Sequence, residues 1–384
     1  MDFDLSEEQR MLKDSVERLL EDRYGFEARV KYAKAETGFS QDMWAQYAEL
    51  GLLALPFAED HGGFGGGPVE TMIVMEAFGR ALILEPYFAT VILAGGVLRH
   101  AASDAQQADL IPAIASGETR LSFACAEPQG RHDLFDVETT AKKDGDGWVI
   151  KGTKGLVLHG DSADKIIVSA RTGSGSRDED GISLFIVDAN AGGLSRQGYP
   201  TQDGLRAAEI TLDNVRVGTD ALIGDQDKAW PVISRVADEA VAALCAEAVG
   251  CFEKMHALTL EYLNTRKQFG TTIGSFQALQ HRAVDIFVEL EQSRSMTMYA
   301  SMMSTEDDAV ERARAVSAAK VQIGESAKLI GQESIQLHGG VGMTMEYAIG
   351  HYFKRVTMID MLFGDTGYHL GRLARLGGLV REDA

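Results

Sequence analysis

Positive charge is in short supply. The chain sets 37 Lys and Arg against 57 Asp and Glu, a net charge of −20 over 384 residues. That balance excludes nucleic acid and anionic membrane surfaces as main partners, because both repel an acidic chain. Long apolar runs are missing as well. No stretch approaches the roughly 20 residues that a membrane-spanning helix needs. The start, MDFDLSEEQ, is acidic and polar and lacks the pattern of a secretory signal. Cysteine is scarce. Cys125, Cys245 and Cys251 are odd in number and carry no metal-ligand spacing, which reads as reduced, buried thiols of a cytoplasmic protein. What is present is ordinary for a globular chain: 45% of the residues are apolar. The length suffices for about two or three domains with ample core.

One stretch organises the rest: Thr265–Gln280, TRKQFGTTIGSFQALQ. It follows a long helical run and carries Arg266, Gln268, Phe269 and Gly270 in the order R-x-Q-F-G. Helical spacing then resumes through Phe276, Leu279, Ala283 and Ile286. Such a corner is either a plain helix–turn–helix joint or a grip for a flat, phosphate-bearing ligand. For the grip, arginine supplies a charge-assisted fork, phenylalanine a stacking face, and glycine a close backbone approach.

Around this corner the sequence predicts three regions. Residues 1–119 read as helices. Ser6 with Glu7, Glu8 and Gln9 makes a helix start, and Met11, Leu12, Val16, Leu19 and Leu20 repeat with helical period. The loop His61–Pro68, HGGFGGGP, is too glycine-rich for regular structure. No Lys-Ser/Thr follows it, so it is not a P-loop. Residues 120–222 switch period. Leu121, Phe123 and Cys125 alternate with small or polar neighbours. Thr139–Lys143 with Trp148–Lys151, Lys165–Arg171, Ile182–Val187, Glu209–Leu212 and Val215–Val217 read as short strands of a β-barrel or sandwich. Residues 223–384 return to helix. Runs at 231–265, Phe276–Ser304 and Asp307–Leu337, with a fourth inside Met343–Leu376, read as a four-helix bundle. The tail Arg381–Ala384 is expected to fray.

Short motifs recur in a fixed order along this plan. They are Phe3-Asp4-Leu5-Ser6-Glu7-Glu8-Gln9, Gly51-Leu52-Leu53 before Pro56, Gly62-Gly63-Phe64-Gly65, Ala126-Glu127-Pro128, Gly145-Asp146-Gly147-Trp148, Val215-Arg216-Val217, the R-x-Q-F-G turn and Gln336-Leu337-His338-Gly339-Gly340. In this order the chain resembles the acyl-CoA dehydrogenase family nearly end to end. Within it the likeness is greatest to the small subunits of two-subunit bacterial pimeloyl-CoA dehydrogenases. The resemblance implies an α+β chain: an amino-terminal helical domain, a middle β-domain and a carboxy-terminal four-helix bundle. It implies α,β-desaturation of an acyl-CoA thioester, with FAD bound between subunits of a homo- or hetero-tetramer. A larger homologous subunit is the expected partner, and an electron-transfer flavoprotein the expected acceptor.

The resemblance also assigns residues. Arg266, Gln268 and Phe269, with Gln336, Gly339 and Gly340 of a Q-x-x-G-G turn, would hold the ADP end of the FAD of a neighbouring subunit. Phe123, Cys125, Leu156 and Leu158 would lie beside the flavin ring. Here the chain departs from the family. Ala126 replaces the Thr of T-E-P, and Leu156-Val157-Leu158 stands where W-I-T is usual. Arg131 falls near the expected CoA path, where it either binds a phosphate or is a plain surface arginine. The base is the largest departure. Gly364 occupies the place of the glutamate in Y-E-G-T, and Ala240 the alternative place on the helix before R-x-Q-F-G. Nearby carboxylates that remain candidates are Glu247, Glu239 and Asp365. Glu247 lies in an apolar run, two helical turns from Ala240. It reads either as a base or as a paired structural carboxylate.

Overall fold

The computed structural model describes residues 5–377; Phe3, Asp4 and the tail Arg381–Ala384 lie outside the described residues. Helices open the chain: α1 (Glu7–Arg23), α2 (Phe26–Tyr32), α3 (Gln41–Glu49), α4 (Pro68–Ala81), α5 (Gly95–Ala101) and α6 (Asp104–Ala115). The start of α1 is a capping box. Ser6 accepts from the Gln9 N–H, and the Gln9 side chain accepts from the Ser6 N–H. A π-helical stretch, Phe88–Ala94, leads into α5.

Strands follow: β1 (Leu121–Ala124), β2 (Thr140–Asp144), β3 (Gly147–Leu158), β4 (Lys165–Arg171), β5 (Ile182–Asp188), β6 (Leu194–Pro200), β7 (Arg206–Gly218) and β8 (Leu222–Ile223). They form one eight-stranded sheet in the order β6-β7-β3-β2-β4-β5-β8, with β1 parallel to β4. The path ends at β6 and β8, so the sheet is open rather than a closed barrel. Its apolar face packs around Trp148, Ile150, Ile166, Val168, Phe185, Ile210 and Leu212. Two expected strands, at 209–212 and 215–217, are one. Asn214 takes a left-handed φ of 55° inside β7, which asparagine tolerates better than most residues. The polar edge strand β6 has no apolar alternation to announce it.

The last part holds α7 (Trp230–Thr265), the two-residue strands β9 (Lys267–Gln268) and β10 (Thr271–Thr272), α8 (Gln277–Met303), α9 (Ala309–His338), α10 (Ile349–Met361) and α11 (Thr366–Arg375). The expected fourth helix is two. Phe363 and Gly364 have φ of 56° and 109°, which no helix accommodates. Lys320 of α9, fully buried, donates at this break to the carbonyls of Ile359 (2.7 Å), Asp360 (3.0 Å), Leu362 (2.9 Å) and Gly364 (2.9 Å). It supplies from outside the cap that α10 needs at its carboxyl end. By packing, residues 1–31, 68–83 and 241–384 form one compact unit, and residues 32–67 and 84–240 another. Thus α1 and α4 count with the carboxy-terminal helices, although the sequence places them with the amino-terminal ones.

Candidate functional site

The R-x-Q-F-G corner is a miniature hairpin. β9 pairs with β10 through Gln268 opposite Thr271. Phe269 and Gly270 alone make the turn, with φ of 55° and 81°, as a type I′ turn requires. A phenylalanine there costs about 1–2 kcal/mol of backbone strain, and this one is also 91% exposed. Strain and exposure at one residue are the marks of a side chain held for a ligand. Arg266 beside it is exposed. Its backbone N–H closes α7 on the Tyr262 carbonyl at 2.9 Å.

The second turn begins where α9 ends. Gly339 adopts φ 60° and ψ −140°, a conformation open essentially only to glycine. A side-chain carbon at Gly339 or Gly340 would meet nothing within 4 Å, so the backbone is open to close approach from outside. Gln336 is exposed, as are Val341, Met343 and Met345.

His338, directly before Gly339, links the second turn to the helix that leads into the first. The His338 ring lies 4.7 Å from the Tyr262 ring and 5.0 Å from that of Tyr347. Tyr262 is one helical turn before Arg266. The phenol of Tyr347 is raised by burial and then by Glu261 and Tyr262, a further sign that the segments meet. The signal was present in the sequence as aromatic residues close to both motifs.

The ring-side residues also converge. Ser122 donates to the Leu158 carbonyl at 2.9 Å, and the Gly155 N–H to the Ala126 carbonyl at 3.1 Å. Phe123 and Cys125 are buried, and burial pushes the Cys125 thiol up to about 11. Leu156 sits at φ 48° on a β-bulge and is exposed. Arg131 is exposed at φ 50°. Behind the loop lies a charge pair that the sequence did not announce. Lys154 donates to Glu127 at 2.7 Å and to Ser169 at 2.9 Å, with both ionic side chains buried. The Glu138 and Thr139 N–H groups also bind Glu127. Burial opposes its ionisation, but Lys154 and these hydrogen bonds outweigh it and hold the carboxyl below its usual range. The pair pins the Ala126–Pro128 corner.

Each candidate base is engaged. Glu247 is gripped by Arg355 in a two-pronged pair, at 2.6 and 2.7 Å, with both side chains 5% exposed. Glu239 accepts from Arg99 at 3.0 Å, contacts His100 at 2.7 Å and lies 3.5 Å from Arg235. Burial opposes its ionisation, yet these partners hold its carboxyl low. Asp365 caps α11, accepting from the Tyr368 N–H at 2.8 Å. At Gly364 a side-chain carbon would lie 2.3 Å from Tyr368 Cδ1 and 2.9 Å from His369 Nε2. Ala240 is completely buried.

Comparison with known proteins follows this layout. Three family descriptions match in order: acyl-CoA dehydrogenase N-terminal domain over residues 6–118, middle domain over 122–215 and C-terminal domain over 228–377. Acyl-CoA dehydrogenase FadE12 of Mycobacterium tuberculosis (strain ATCC 25618 / H37Rv) is 30% identical over 90% of this chain and 89% of its own. The chain belongs to the acyl-CoA dehydrogenase family. Another relative, the probable acyl-CoA dehydrogenase YngJ of Bacillus subtilis (strain 168), is 29% identical over 94% of this chain and 95% of its own. Among solved structures, a variant of the Tcur3481-Tcur3483 steroid ACAD is 29% identical at a TM-score of 0.86, covering 96% of this chain and 97% of that one. The ChsE4-ChsE5 complex from Mycobacterium tuberculosis is 26% identical at 0.87, covering 98% of each. As an acyl-CoA dehydrogenase, the protein is an FAD-dependent oxidoreductase by family. Among the described residues no helix is long and apolar enough to cross a membrane, and no group of three or more His, Cys, Asp or Glu is placed to hold a metal.

Proposed function

We propose that this acyl-CoA dehydrogenase works as one subunit of a mixed assembly. It grips the ADP half of FAD, while a larger homologous subunit contributes the flavin-ring site and the base. The observation that carries this is Gly364. Its φ of 109° and the nearness of Tyr368 and His369 leave no room for a glutamate side chain, and Glu247, Glu239 and Asp365 are committed to ion pairs or a cap.

The residues fit the ADP half of the cofactor. Arg266 offers a phosphate its exposed fork, Phe269 an exposed ring face, and Gly339–Gly340 an open backbone. The fit to the ring half is poorer, because Ala126, Leu156 and Leu158 offer no side-chain donor. Bound FAD supplies the hydride acceptor for desaturation; the α-proton needs a carboxylate within hydrogen-bond reach. Two relatives are themselves described as pairs, ChsE4-ChsE5 and Tcur3481-Tcur3483, which supports a paired subunit here. Electrons then pass to an electron-transfer flavoprotein.

The test is expression alone and with a larger homologous subunit, followed by flavin content and acyl-CoA-dependent dye reduction. The mixed complex is expected to be yellow and active, and the lone chain nearly inactive. Robust turnover by the pure homo-oligomer overturns the proposal.

A further inference from the structure

We infer that His338 is a positioning residue that couples the two ADP-gripping turns, so that they meet a dinucleotide as one unit. This rests on the reading above that those turns hold the ADP half of FAD. His338 is the last residue of α9, directly before Gly339, and its side chain is 2% exposed. Nδ1 lies 2.8 Å from the Ser334 carbonyl. A carbonyl can only accept, so Nδ1 carries the proton. Nε2 is buried and faces the Leu258 backbone of α7. The ring is therefore fixed along its own helix by one hydrogen bond, and across to α7 by the Leu258 backbone and by stacking.

Those neighbours belong to different segments. On one side is Tyr262 of α7, 4.7 Å away and tilted by 30°. Its carbonyl receives the Arg266 N–H. A shift of Tyr262 thus moves the backbone from which the arginine and phenylalanine project. On the other side is Tyr347, 5.0 Å away and tilted by 48°, which follows the exposed Met343 and Met345 of the glycine turn. The Leu258 backbone faces the imidazole from α7. The imidazole is a wedge between two phenol rings, and neither turn can shift far without displacing it. Ordering one turn by ligand contact then orders the other in advance.

The experiment is calorimetric titration of ADP into the full-length protein, in a double-mutant cycle. Arg266→Ala and His338→Ala are each expected to weaken ADP binding by about tenfold or more. The double variant is expected to bind within about twofold of the weaker single one, because both changes disable the same unit. His338→Phe keeps a ring in the wedge and is expected to stay within about threefold of wild type. Tyr262→Leu and Tyr347→Leu, which break the stack from its part-exposed sides, are expected to repeat the His338→Ala loss, and they stand in for it if that variant does not fold. Strictly additive losses overturn the coupling, as does a His338→Phe variant as weak as His338→Ala. Wild-type protein that binds no ADP overturns the dinucleotide reading and this inference with it; binding with additive losses overturns the coupling alone.

Discussion

Replacing Glu247 by glutamine separates a structural carboxylate from a catalytic one, because each role moves a different observable. The change keeps the side-chain shape and removes the charge. Arg355, 5% exposed at its side chain, loses the carboxylate that grips it at two points. Two unit charges about 4 Å apart attract by about 4 kcal/mol at an effective dielectric near 20. Removing one partner of a buried pair costs roughly 3–5 kcal/mol. In a domain of this size 1 kcal/mol moves the melting midpoint by about 2–4 °C. Glu247→Gln is therefore expected to melt roughly 6–20 °C below wild type. Glu247→Leu combined with Arg355→Met removes both charges together and is expected to recover most of that loss. Scanning calorimetry reads the midpoint, and acyl-CoA-dependent dye reduction by the mixed complex reads turnover. A catalytic Glu247 gives the opposite pattern. The single variant would melt within about 1 °C of wild type yet lose turnover by about a thousandfold, and the double variant would be equally inactive. That result refutes the structural assignment.

Gly364→Glu is expected to lower stability by about 1–3 kcal/mol from backbone strain alone, and to leave acyl-CoA-dependent dye reduction by the lone chain where it was; a gain of turnover contradicts the steric argument. Arg266→Ala and Phe269→Ala change exposed side chains, so the apo midpoint should hold within about 0.5 kcal/mol. Flavin affinity of the mixed complex should fall by about 10- to 100-fold for the arginine, read by flavin retention on dilution. Glu239 has a depressed carboxyl in the folded protein. Its contribution is therefore present above the unfolded value of about 4.3 and lost as pH falls through the lower folded one. Melting curves taken across that acid range should be shallower for Glu239→Gln than for wild type; identical slopes count against the pairing with Arg99 and His100.

Periodicity made the long elements legible. The runs at 231–265 and Phe276–Ser304 are close to α7 and α8, because an amphipathic helix repeats its apolar residues over many turns. Motif order made the family legible. What escaped is what local pattern does not encode. Lys320 stands in the run Ala318-Ala319-Lys320-Val321 and looks like a solvated lysine; only the path of residues 359–364 shows that it serves four carbonyls. Lys154 and Glu127 are 27 positions apart, and Arg355 and Glu247 are 108 apart. Pairing at such separations is set by packing, not by spacing. Glu247 shows the limit well. The sequence marks a carboxylate in apolar surroundings as either paired or catalytic, and only the fold supplies the arginine.

The two halves of the site differ in how readily a single change could restore them. The proposed grip sits on exposed turns, where Arg266 and Phe269 are exposed, so their replacement or recovery disturbs packing little. The base positions are enclosed. A glutamate at Gly364 meets Tyr368 and His369 and a φ of 109°. A glutamate at the fully buried Ala240 would place a carboxylate in a packed interior, where an unpaired charge costs several kcal/mol and is instead neutralised. Recovering a base at either place thus needs a second substitution that opens space or supplies a partner. In the proposed mixed assembly such a chain would contribute through the surface it lends. The grip residues should therefore govern flavin affinity of the mixed complex, while substitutions around Gly364 should alter this subunit's stability and leave that affinity unchanged.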